Sequence, residues 1–175
     1  EIHVDIDKKG FRADPGQSVG VLAPGRQDFG QQHHFRLYTV ADLPEYKEGT
    51  TRVKLCVKRC NYIDDYSGEK YEGVASNYLC DLKAGDKLTM TGPYGLAFAV
   101  PEEKDANMML IGTGTGIAPF RAFLRHLYTK KPPFEGKVRL FHGGRSGLDL
   151  LYKNEKNDDL AFYYDKSTFE AGEAL

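Results

Sequence analysis

The sequence has no tryptophan and only three cysteines, Cys56, Cys60 and Cys80. An odd count with no C-x-x-C pair argues against both a disulfide framework and a zinc or iron–sulfur site. A reducing, cytoplasmic setting is the default that follows. Charge of one sign is missing too: 24 Lys and Arg stand against 25 Asp and Glu, a net −1. That removes the general case for nucleic acid or an anionic membrane as partner. No apolar run reaches the roughly 18 residues of a membrane span. No signal peptide is visible, yet the chain opens at Glu1 inside an alternating strand pattern. A natural N-terminus upstream of Glu1 is therefore expected.

What is present is ordinary in bulk and specific in detail. The chain has 175 residues, enough for one large or two small domains. It is 41% hydrophobic and 28% charged, as soluble globular proteins are. Eleven tyrosines and ten phenylalanines supply aromatic faces, some of which suit stacking on a planar ligand.

Through the first hundred residues, short strand patterns alternate with Gly/Pro turns. Ile2–Asp7, Ser18–Leu22, Phe35–Val40, Arg52–Arg59 and Lys87–Thr91 read as strands. Pro44–Thr50 reads as a loop, and Tyr62–Tyr71 as a polar insertion turning at Ser67-Gly68. His33 and His34 are adjacent, so they point to opposite sides of an extended chain and read as surface residues. This rhythm predicts an antiparallel barrel or sandwich over residues 1–101. The polar stretch Pro101–Ala106 is the expected boundary to a second domain over 106–175.

That second part is organised by Met108–Phe120: an apolar run, glycines at 112, 114 and 116, then Pro119 opening a helical pattern. Strand, loop and helix in this order present backbone N–H groups to an anion, most often a nucleotide phosphate. The loop is not a Walker A motif, since no Lys-Ser or Lys-Thr follows. Ile117 stands where the third glycine of G-x-G-x-x-G would be. Phe120, Phe123, Leu124 and Leu127 share one helix face, with Arg121 and Arg125 on the other side. Val138–His142 is the next strand, giving a parallel βαβ unit. It ends in Gly143-Gly144-Arg145-Ser146. An arginine there suits the 2′-phosphate of NADP better than the ribose hydroxyl of NAD. Tyr152 to the end reads as polar and helical.

In order and spacing, Arg36-Leu37-Tyr38-Thr39, Leu55-Cys56-Val57-Lys58-Arg59, Gly73–Leu79, Gly92-Pro93-Tyr94-Gly95 and Gly112–Arg121 resemble the ferredoxin–NADP⁺ reductase family. The resemblance runs from about Gly16 to Lys153. Around Gly143 to Lys153 it looks most like the reductase components of benzoyl-CoA 2,3-epoxidases within that family.

The resemblance implies an antiparallel FAD-binding β-barrel followed by a partial, truncated parallel α/β NADP-binding domain. Arg36 would pair with the FAD pyrophosphate, beside Leu37. Tyr38 would pack on the isoalloxazine. Thr39 stands where the family usually has serine, near flavin N5. Cys56, Val57 and Lys58 would line the adenosine half, and Tyr62 would stack on the adenine. Val74, Ala75, Ser76 and Asn77 would hold pyrophosphate and ribityl, with Ala75 in place of a frequent cysteine. Thr115, between Gly114 and Gly116, would sit between flavin and nicotinamide. Gly144 and Arg145 match a Val-Pro pair beside NADP in the family, so Arg145 is a departure. Tyr38, Thr39 and Thr115 are the residues placed at the reacting centre.

The implied activity is an NADPH-dependent, FAD-containing reductase. It would pass electrons to a protein acceptor, either a ferredoxin-type iron–sulfur protein or an oxygenase component. Three other readings fit the same residues. One is a non-catalytic nucleotide-binding module. Another is the flavin module of a larger diflavin-type fusion. The third is a direct reductase of small molecules. Later family segments near the nicotinamide and 2′-phosphate would fall beyond Leu175, and a ferredoxin-like module could precede Glu1.

Overall fold

The computed structural model describes residues 1–26, 30–103, 105–129, 134–145, 150–152 and 169–174. Its first hundred residues form two small antiparallel sheets around a shared core. In one sheet β5 (Thr50–Leu55) lies between β1 (Ile2–Ile6) and β4 (Glu45–Lys47), with Val4 opposite Val53. Thr51, Val53 and Leu55 alternate inward along β5, the period-two pattern of a strand with one wet face. In the other sheet β2 (Ser18–Pro24) lies between β3 (His33–Thr39) and β8 (Thr89–Tyr94). A single bridge between Val40 and Leu55 joins the sheets. Val19, Val21, Val40, Val53 and Leu55 are fully buried between them, with Leu79 closing the core. Among the described residues the ladders of these two sheets do not close into a ring.

Several elements depart from the sequence reading, each for a local reason. The strand expected over Arg52–Arg59 stops at Leu55. Its partner β1 begins at Ile2, opposite Leu55, so no ladder is left beyond it. The loop expected over Pro44–Thr50 contains β4, which turns back onto β5 at Gly49, φ +79°. The Tyr62–Tyr71 insertion is a hairpin of β6 (Asn61–Ile63) and β7 (Lys70–Glu72). β8 runs on through Gly92-Pro93 to Tyr94. Two residues there oppose one on β2, and the bulge lifts Pro93 out of the ladder, where its missing N–H does no harm.

Gly73–Asp81, unassigned from sequence, contains helix α1 (Val74–Asp81), whose Leu79 is 1% exposed.

The second part is the expected βαβ unit. β9 (Met108–Thr113) leads through one 3-10 turn (Gly114–Gly116) into α2 (Ile117–Thr129), and β10 (Val138–Gly143) returns parallel to β9. Ile117, Phe123, Leu124 and Leu127 bury their face of α2 against Leu110, Val138 and Leu140. Truncating Leu124, fully buried here, is a change that costs about 2–5 kcal/mol in such cores.

Arg121, off the Phe120–Leu127 face of α2, is nonetheless 6% exposed, because the helix also packs on the segment after β3, where Arg121 donates to the Ala41 carbonyl. One expectation fails here. The C-terminal stretch is not helical throughout: β11 (Phe169–Ala174) pairs parallel with β10. Residues 153–168, part of the same helical expectation, lie outside the described residues. No described helix is long and apolar enough to cross a membrane.

Candidate functional site

β3 is the outer strand of its sheet, and its open side borders a long groove. The groove holds about 730 Å³, within the range of ligand pockets. His34, Arg36 and Tyr38 occupy alternate positions of β3, and all three line it. Arg26 joins them from beyond β2, its guanidinium donating to the Glu72 carbonyl at 2.8 Å. Arg36 donates to the Phe35 carbonyl at 2.8 Å and makes no hydrogen bond to an acidic side chain among the described residues. His34 feels these neighbours. Partial burial, then the charges of Arg36 and Arg26, hold its pKa below the ordinary value of 6.5. A groove wall with two guanidiniums and a histidine is built for an anion.

The opposite wall is the start of α1. Gly73, Val74, Ala75 and Ser76 line the groove. Gly73 caps the helix without a side-chain hydrogen bond, and no acidic residue sits in the first turn. Helix geometry leaves the first N–H groups without intrahelical partners, and the helix dipole adds partial positive charge there. A phosphate group satisfies both. The Ser76 hydroxyl accepts from the Cys60 N–H at 3.1 Å, and Asn77 Nδ2 donates to the Gly73 and Cys60 carbonyls at 2.7 and 3.0 Å. These bonds fasten the helix start to the 56–60 segment. Farther along, Tyr62 of β6 stacks on Tyr71 of β7, ring centroids 5.2 Å apart. Both rings line the groove, offering a flat aromatic surface at that end.

A second cavity of about 330 Å³ adjoins the first and shares Leu37, Tyr38, Cys60 and Ser76 with it. Thr39 and Lys58 lie on one side; Thr115, Gly116, Ala118 and Pro119 lie on the other. The end of β3 thus meets the glycine loop across one space. Thr39 is held there by a 3.0 Å hydrogen bond between its hydroxyl and that of Ser18. The loop is shaped by its glycines. Gly114 has φ +51°, and a Cβ on Gly112 would come within 3.1 Å of the Gly116 carbonyl oxygen. His142, 4% exposed on β10, donates from Nε2 to the Gly114 carbonyl at 3.1 Å. The carbonyl can only accept, so Nε2 carries the proton.

The sequence-derived residues divide between the two cavities. Arg36, Leu37, Tyr38, Tyr62, Val74, Ala75 and Ser76 line the groove. Thr39, Thr115 and Gly116 line the smaller cavity with Leu37, Tyr38 and Ser76. Cys56 and Lys58, expected at the adenosine end, line the smaller cavity instead, because the chain leaves the ladder at Leu55 and crosses toward α2. Val57 packs on the core of the first sheets. The Asn77 amide is spent on backbone carbonyls and on Arg59, whose Nη1 donates to its Oδ1 at 2.7 Å. Gly114, Gly144 and Arg145 line neither cavity; Arg145 is exposed just past β10.

Sequence reasoning missed Arg26, His34, Cys60, Tyr71 and His142. Only His34 carried a signal, its two-residue spacing from Arg36. The others come from distant segments that folding brings together.

Cationic β3, an open helix start and a flat aromatic end fit a ligand with a pyrophosphate and a stacking base, such as FAD.

Comparison with known proteins shows what the chain resembles as a whole. A family model described as "Oxidoreductase NAD-binding domain" matches residues 110–167. The ferredoxin–NADP reductase of the Cyanophora paradoxa cyanelle is 42% identical over 144 residues, 80% of this chain and 39% of that protein. The Synechocystis enzyme is 38% identical over 155 residues, 86% of this chain and 37% of its own length. The chloroplast enzyme of Mesembryanthemum crystallinum is 44% identical over 144 residues. The chain therefore spans about two fifths of the length of these curated relatives. Among solved structures, the ferredoxin–NADP⁺ reductase of Plasmodium falciparum, determined with 2′P-AMP, superposes with a TM-score of 0.68 at 23% identity. That match covers 98% of this chain and 64% of the other. It shows a common fold.

Proposed function

The chain belongs to the ferredoxin–NADP⁺ reductase family, and on that premise we propose that its protein is an NADPH-dependent flavoprotein reductase serving a protein electron acceptor. The two antiparallel sheets are read as the FAD-binding barrel, residues 1–101, and the βαβ unit as part of an NADP-binding domain, residues 106–175. The observation that carries the reading is the smaller cavity, which brings Tyr38 and Thr39 of β3 opposite Thr115 and Gly116. Two planar rings brought face to face need such a space, flanked by an aromatic ring, hydroxyls and side-chain-free backbone.

FAD bound in the groove would supply the redox chemistry, accepting a hydride from NADPH and releasing electrons one at a time. The chain's own residues do the positioning. Arg36 and Arg26, with the first N–H groups of α1, hold the pyrophosphate. Tyr62 presents its ring to the adenine. Tyr38 covers one ring of the flavin, and Thr39 sets a hydroxyl beside it. Thr115 and the glycines leave the nicotinamide room to approach. Arg145 reaches for the 2′-phosphate.

The acceptor is a ferredoxin-type iron–sulfur protein, as the names of the relatives suggest; an oxygenase component is the second reading. The test of the site is flavin content. Arg36→Ala should purify with less than about a tenth of the wild-type FAD, since it removes a charge-assisted bond to the pyrophosphate. Full retention of FAD would refute the assignment of the groove.

A further inference from the structure

Asp42 touches neither cavity, yet it is 1% exposed. A carboxylate so deeply buried needs cations around it. It has three. Lys54 of β5 donates to Oδ2 at 2.7 Å. Arg125 of α2 donates through Nη1 to Oδ1 and Oδ2 at 2.5 and 2.6 Å. Nη1 of Arg121, one turn earlier on α2, lies 3.4 Å from Oδ2. Arg121 also donates to the Ala41 carbonyl at 3.2 Å and to Glu1 at 3.3 Å, and its guanidinium lies 4.6 Å from the centroid of the Tyr152 ring. Every one of these groups except Lys54, Ala41 and Glu1 comes from the βαβ part, whereas Asp42 and its backbone belong to the antiparallel part. The cluster is a polar junction between the halves.

Its place in the chain gives it leverage. Asp42 follows Thr39 by three residues, and Arg121 follows Thr115 by six. Thr39 and Thr115 face each other across the smaller cavity. We propose that Asp42 is a positioning residue: by gripping Arg121 and Arg125 of α2 it sets the separation of the Thr39 and Thr115 walls, and so the distance at which two planar ligands meet. Ile117 and Ala118 are buried in the core at the helix start, so α2 moves as one body and a change at Arg125 reaches the loop. The purpose of the cavity rests on the functional reading above; the mechanical claim does not.

The test uses Arg125→Gln, because this side chain is 37% exposed and its loss leaves Asp42 with Lys54 and Arg121. Amide hydrogen exchange is measured on the protein without nucleotide. Exchange at residues 113–120 should rise about tenfold, the equivalent of about 1.4 kcal/mol of local stability. Exchange in α1 should stay as in the wild type. Arg125→Lys, which keeps the charge but not the forked geometry, should restore part of the protection. In the FAD-loaded protein, Arg125→Gln should keep its flavin but be reduced by saturating NADPH about tenfold more slowly, since small misplacements act on the reacting geometry. Unchanged exchange at 113–120 would overturn the proposal. If Arg125→Gln fails to fold, the same measurement on Arg125→Lys decides. If the wild type is not reduced by NADPH, the functional reading falls, and the exchange result still decides the role of Asp42.

Discussion

His142 and Gly114 are joined by a hydrogen bond of 3.1 Å across 28 residues of chain, from the floor of β10 to the glycine loop. A buried imidazole is thereby committed to holding one carbonyl of the loop that borders the smaller cavity. His142→Leu removes this donor and leaves that carbonyl with the Ile117 N–H alone, a loss of about 1 kcal/mol. Denaturant unfolding of the two proteins measures it. His142→Gln, which keeps an N–H donor, should recover part of the difference. Equal stability of His142→Leu and wild type would show that the bond does nothing.

The groove makes a pH prediction through His34. Burial and then the charges of Arg36 and Arg26 depress its pKa in the free protein. A bound pyrophosphate offsets those charges and raises it. Binding then takes up a proton, so affinity rises as pH falls through the region just below 6.5, by up to about tenfold per unit of pKa recovered. Asp64 and Glu72 also border the groove and set the remaining charge. FAD titration of the apoprotein between about pH 5.5 and 8 should show the effect, and His34→Gln should flatten it. A pH-independent affinity in the wild type would contradict this account of the groove.

Tyr152 is an anomaly with a simple expectation. It is not a glycine, yet its φ is +65°. Its hydroxyl is buried beside the Cys56 thiol with no hydrogen bond of ordinary geometry among the described residues, and burial is the first reason its proton is held far more tightly than a free tyrosine's. The ring is used, against Arg121. Tyr152→Phe keeps the ring and deletes the stranded oxygen, so stability should hold or rise by about 1 kcal/mol. Thermal unfolding checks this; a marked fall in Tm would mean that the hydroxyl has a partner.

Arg145 stands exposed just past β10. If it meets a 2′-phosphate, Arg145→Ala should raise KM for NADPH about tenfold and leave NADH nearly unchanged. An equal effect on both dinucleotides would return Arg145 to the solvent.

The sequence carried the strands that alternate cleanly, such as β1 and β5, and the strand–loop–helix of β9 and α2, because their periodicity reflects one buried face. It did not carry α1. Val74–Asp81 has a Gly start and no capping residue, and its helix is held by Asn77 and Ser76 reaching to Cys60. The groove wall of Arg36, Tyr38 and Ser76 was legible through the motif resemblance. Arg26, Tyr71 and His142 were not, since each reaches the site only after distant segments pair. Helical spacing placed Arg121 off the apolar face and no further, because it is blind to the second, charged junction that buries the side chain there.

The central claim is that Tyr38, Thr39 and Thr115 bound the place where a nicotinamide meets a flavin. The most direct test mixes the FAD-loaded full-length protein with NADPH in the absence of oxygen while the flavin absorbance is followed. The account predicts rapid bleaching of the flavin band in the wild type. A protein that takes up no FAD, or a bound flavin that NADPH leaves coloured, would contradict it.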